Sequence, residues 1–122
     1  MNELVDKMVS LERDISQEKG RFNLFALFLS EDAEDKWDLL VSAPWIEKDK
    51  KSAMHYIAEL IQSRLSKDEL VSLSRIVLID KNKPELVAFQ KAIHTEHNKV
   101  VVKDSNFFGL KIKAAYIITS AR

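Results

Sequence analysis

The sequence predicts a mixed α/β fold, on the α+β borderline. It is expected to be a five-stranded sheet with helices packed on it, in the element order α-β-β-α-β-α-β-β. Three observations lead there. Apolar residues recur at helical spacing in three separate stretches. Short runs rich in β-branched and aromatic residues lie between them. Two strand–helix–strand passages imply parallel pairing by crossover, and the flanking hairpins imply antiparallel strands.

The first element is a helix over about residues 2–18. Leu4, Met8, Leu11 and Ile15 fall on one stripe, with Val5 beside them. A stripe of two heptads is too short for a free coiled coil, so it must dock on its own sheet or on a partner. Gly20 follows as a stop. Residues 21–30 are apolar on both faces, Phe22, Leu24, Ala26 and Phe28 against Phe25, Leu27 and Leu29. That marks an interior strand covered on both sides. A turn with four carboxylates, residues 31–35, leads into Trp37, Leu39, Val41 and Ala43 alternating with Lys36, Asp38, Leu40 and Ser42. The two runs read as a β-hairpin over 21–43.

Pro44 ends that strand, and Asp49 caps a helix to about Leu65 whose inner face is Ala53, Met54, Ile57, Ile61 and Leu65. Ser66 and Glu69 have the spacing of a capping box. The run 75–79 is a buried strand, 80–83 a turn, and Pro84 opens a helix to about Thr95 that buries Leu86, Phe89 and Ile93. Residues 100–102 form a strand and 104–106 a turn. A last strand from Phe107 to Thr119 has Phe108, Leu110, Ile112, Ala114, Tyr116 and Ile118 on one face, with a bulge expected at Gly109.

With 122 residues, 46% apolar and 31% charged, this is a single globular domain over 1–122 with no linker or repeat. The organisation is a helix over 1–18, the hairpin over 21–43 and an α-β-α-β-β unit over 49–122. No cysteine is present, which excludes thiol chemistry and Cys-based metal sites. The amino terminus lacks the basic and apolar regions of a signal peptide, and no apolar run is long enough to span a bilayer. A cytoplasmic location without membrane association is expected.

Charge balances overall, yet residues 1–61 hold 8 basic against 13 acidic side chains and residues 62–122 hold 11 against 6. Such an asymmetry averages out where both halves feed one domain, or else makes a polar molecule, a complementary self-association or a basic face for an anionic ligand. The neutral total lacks the basic excess that nucleic-acid binding requires.

Named motifs fail. Two glycines cannot build a phosphate loop or a dinucleotide fingerprint. Ser42 lacks the tight turn of a hydrolase nucleophile. His94 and His97 have no third ligand beside them, the acidic turn lacks a calcium-loop glycine, and no metal or other cofactor is expected. The remaining candidates rest on topology. If the strands ending at Ser42, Asp80 and Lys103 are parallel, their loops meet at one edge of the sheet, where open α/β sheets bind ligands. Ser42, Trp45, Asp80, Lys81, Lys83, Lys103 and Asp104 would then gather around a small anionic ligand, beside the amino end of the helix after Trp45. In such a site Trp45 would stack, the lysines would neutralise charge and Asp80 would act as base or cation ligand. The leading functional expectation is different: a small recognition or regulatory module, homodimeric through the stripe of Leu4, Met8, Leu11 and Ile15. The alternative is the anionic-ligand domain or an enzyme built on that edge; no catalytic motif points to one.

Overall fold

A computed structural model describes residues 2–31 and 35–122. Its elements are α1 (Asn2–Lys19), β1 (Leu24–Ser30), β2 (Trp37–Ser42), α2 (Pro44–Lys48), α3 (Lys50–Arg64), α4 (Lys67–Val71), β3 (Leu73–Leu78), α5 (Pro84–Ala92), β4 (Val100–Phe107) and β5 (Leu110–Ser120). The five strands form one mixed sheet in the order β3-β2-β1-β5-β4. Only β2 and β3 pair in parallel; β1–β2, β1–β5 and β4–β5 are antiparallel. β2, β3 and β5 therefore share one direction, and β1 and β4 run the other way. Asp32 and Glu34 of the acidic turn lie outside the described residues.

Two apolar cores, one on each face, follow from the alternation in β1 and β2. Phe25, Leu27 and Leu29 with Trp37, Leu39 and Val41 face α1 and α3. Leu24, Ala26 and Phe28 with Leu40 face α5. Phe22 precedes the strand and turns to the α1 side, where it meets Phe25 edge to face at 4.9 Å. The first face is covered by four helices and the second by one helix of nine residues, so the second layer leaves part of its sheet open.

The stripe of α1 is consumed inside the chain. Leu4, Met8, Leu11 and Ile15 are buried on the sheet with Ile57, Ile61 and Ile118. This corrects the expectation of a dimer interface: the stripe fits the chain's own sheet, and a side chain already buried there has no surface left for a partner. Ion pairs fasten the helix around its rim, Lys7 to Glu69 at 2.7 Å, Asp14 to Arg64 at 2.6 Å and Asp6 to Lys99 at 2.7 Å.

Both caps form. The Asp49 side chain accepts from the Ser52 N–H, and Ser66 and Glu69 bond reciprocally as a capping box. Pro44 does more than end β2, because it opens the one-turn helix α2. Met54 stays outside the core, half-exposed on the outer face of α3.

The carboxyl-terminal hairpin departs most from expectation. β4 continues through the residues assigned to a turn, and the turn lies at Phe108-Gly109, both with positive φ (55° and 76°). The alternation in β5 breaks at Lys113, because Leu29 pairs with Ala114 and Ser30 with Ile112. This bulge sends Ile112 to the α5 side and Ala114, Tyr116 and Ile118 to the α1 side. α5 ends at Ala92, ahead of the expected Thr95, and Ile93 still packs into the α5 core.

Candidate functional site

The antiparallel run of β4 divides the proposed ligand edge. The ends of β2 and β3 do meet: the Ile79 N–H donates to Val41 O at 2.8 Å, and the Lys81 N–H donates to Glu47 Oε2 at 2.9 Å. Lys103 and Asp104 sit within β4 on the far edge of the sheet, separated from β2 by β1 and β5. Asp104 lines a shallow depression with Glu31, Ser105, Asn106 and Lys111 instead. The other candidates diverge as well. Ser42 is buried beneath the α5 side. Asp80 closes its own turn by accepting from the Asn82 N–H at 2.8 Å. Lys81 and Lys83 are exposed, and Trp45 turns to the α1 side, 5.6 Å from Phe22. The three-loop anion site therefore does not assemble, because the passage from β3 through α5 carries β4 to the far edge of the sheet, antiparallel to β2 and β3, instead of setting it parallel beside them.

His94 is exposed, and His55 pairs with Glu59 at 3.0 Å on the surface of α3. His97 meets Glu12, a carboxylate with 0% exposure that also accepts from Ser16 Oγ and Thr119 Oγ1, each at 3.0 Å. The backbone of His97 is held too, at φ 51°, with its N–H donated to Thr119 Oγ1 at 3.1 Å. This cluster satisfies a buried charge and locks α1 to the strand β5 and to the segment before β4. The sequence carried one signal for it: Glu12 follows Met8 by four residues, on the buried flank of the stripe. Among the described residues no group of three His, Asp or Glu side chains is placed to hold a metal ion.

What the fold does leave open is the edge at β3. Parallel pairing uses the N–H and C=O groups of alternate residues, and the Ile79 N–H bonds to β2. By that alternation Arg75 and Val77 also face β2, and the N–H and C=O groups of Ile76 and Leu78 point to the open side. A groove lies on each face beside this edge. On the α5 side a groove of about 180 Å³ runs from Arg75, Val77 and Ile79 across Leu40 and Phe28 to Phe108. On the α3 side a second, of about 150 Å³, is lined by Ile61, Leu70, Leu73 and Ile76. The charged rim is sparse. Arg75 pairs with Asp38 at 3.4 Å, and Lys83 stands 4.0 Å from Glu85.

The opposite edge is defended. In β4 the ladder passes over Asp104, whose φ of 50° distorts the strand, and Lys103 adds charge. Sequence reasoning missed the β3 edge because edge and centre follow from strand order, which one chain's pattern does not encode.

Among the described residues no helix is long and apolar enough to cross a membrane. No family model, curated protein or solved structure matches this chain.

Proposed function

We propose that this chain is a protein–protein recognition module that pairs with a second copy of itself through the edge of β3. The observation that carries the reading is an unpaired strand edge flanked by an apolar groove on each face. Such an edge is a template for strand addition: main-chain hydrogen bonds supply affinity, and pockets for alternate side chains supply register. β3 itself has the required chemistry. Ile76 and Leu78 project to one face and Val77 to the other, with neither proline nor lysine in the strand. A two-fold axis would place β3 antiparallel to its mate, so each copy is both template and added strand. The mate's Val77 would extend the apolar floor of the α5-side groove, and its Ile76 that of the α3-side groove.

Light scattering over a concentration series tests this. The wild-type chain should be a dimer, and Val77→Lys, which sets a charge at the paired edge, should be a monomer with an unchanged circular dichroism spectrum. Val101→Lys, on the opposite edge, should remain a dimer. A wild-type chain that stays monomeric up to about 1 mM, where an association worth about 4 kcal/mol would already show, overturns the reading.

A further inference from the structure

We propose that Trp45, Tyr56 and Asp49 form a receiving corner for an organic ammonium group, of the quaternary or methylated-amine class, which the chain's own Lys19 occupies when no ligand is bound. The Lys19 ammonium stands 4.8 Å from the centre of the Tyr56 ring. The rings of Trp45 and Tyr56 meet at 88° with centroids 6.3 Å apart, two walls of an angle rather than a stack. With Lys19, Asp49, Ser52 and Ala53 they line a hollow of about 210 Å³.

Each wall is held from behind. Phe22 packs edge to face on Trp45 at 5.6 Å. Gly20 lets the chain pass close to the indole, since a Cβ there would stand 3.3 Å from Trp45 Cδ1. The Tyr56 hydroxyl donates to Glu18 Oε2 at 2.7 Å. Asp49 accepts from the Ser52 N–H at 3.1 Å and from Ser52 Oγ at 2.9 Å, so its carboxylate is oriented and remains charged. Those bonds hold its carboxyl below the ordinary 3.8, the backbone bond contributing most.

The chemistry selects the ligand. Aromatic faces attract cations through their quadrupole, and the attraction grows as the cation is less hydrated. A lysine ammonium is compact and strongly hydrated, so it is a weak occupant. A methylated ammonium gives up less water on entering, presents methyl groups to both rings and leaves its charge beside Asp49. Lys19 lies in the last turn of α1 on a flexible stem and can withdraw to solvent.

Tetramethylammonium chloride titrated into the full chain tests the proposal, with sodium chloride at matched ionic strength as reference and nuclear magnetic resonance of both indole N–H groups as readout. A saturable shift at Trp45, with none at Trp37, is expected. Lys19→Ala removes the internal competitor, and affinity should rise about tenfold if Lys19 fills the corner nine-tenths of the time. Asp49→Asn preserves a helix cap and should weaken binding about threefold. No saturable shift in either the wild type or Lys19→Ala overturns the proposal. So does an affinity that Lys19→Ala leaves unchanged or lowers.

Discussion

Truncating Leu11 to alanine separates the two roles that the α1 stripe was open to. In the folded chain Leu11 has 0% exposure and sits in the core shared by α1, α3 and the sheet. The substitution removes about three methylene equivalents, at about 0.8 kcal/mol each. The surrounding core is pinned by ion pairs at both ends of the helix and will close only partly, which adds about 1–2 kcal/mol for the cavity. Leu11→Ala should thus cost about 3.5–4.5 kcal/mol, a large share of the stability of a domain this size. The corresponding fall in Tm is about 10–18 °C. Urea denaturation followed by tryptophan fluorescence, with light scattering at matched concentration, reads both stability and association. A large loss of stability with the subunit state of the folded protein unchanged is expected. A cost below about 1 kcal/mol together with loss of association would refute the packing argument, because the stripe would then be meeting a partner.

The Glu12–His97 cluster predicts a coupled loss. His97→Ala should cost about 1–3 kcal/mol by leaving a buried acceptor short of a donor, and combining it with Glu12→Leu should cost at least about 1 kcal/mol less than the two single losses together; additive losses in a denaturation cycle would contradict the pairing. Acid should weaken the chain through Glu69, held below its ordinary 4.5 first by the Lys7 bond and then by the Ser66 backbone, and through Asp49. Folded values below unfolded ones give stability that is present above pH of about 4.5 and is lost as pH falls through the folded values, so Tm measured down to pH of about 2 should fall, and less steeply in Glu69→Gln. Burial, then the Glu18 bond, pushes the Tyr56 hydroxyl up to about 12; titration by ultraviolet absorbance should find it still protonated where an ordinary tyrosine has ionised, and Glu18→Gln should bring it down. Gly109→Ala should cost roughly 1–2 kcal/mol from backbone strain alone at φ 76°, since nothing lies within 4 Å of the added carbon; a neutral result in thermal melts would show that the turn relaxes.

Much of this architecture is legible residue by residue. β1 is recognisable as a continuous apolar run because both of its faces are buried, β2 from the alternation that starts at Trp37, and the two caps at Asp49 and Ser66 are local bonds that local sequence specifies. The carboxyl-terminal hairpin is not legible in the same way. Asp104-Ser105-Asn106 has ordinary turn chemistry, yet the chain turns at Phe108-Gly109, where pairing with β5 and burial of Phe107 outweigh local preference. The bulge at Lys113 reverses the facing of Ile112 relative to Ala114, which no alternation count can anticipate. The candidate ligand site failed for a related reason. It depended on β4 running parallel to β3, and strand direction across a sheet is decided by long-range pairing. Trp37 and Trp45 divide as their surroundings dictate: Trp37 is a core strand residue, 5.3 Å from Tyr116, and Trp45 forms one wall of a surface hollow.

Amide hydrogen exchange at Ile76 and Leu78 tests the β3 edge most directly. Their N–H groups point away from β2, so in a lone chain they meet solvent, and in the two-fold pair they bond to the mate. Their exchange should slow as protein concentration rises and stay fast at every concentration in Val77→Lys, with residues 77 and 79 protected throughout by β2. Fast exchange at Ile76 and Leu78 that does not change with concentration would contradict the two-fold pairing.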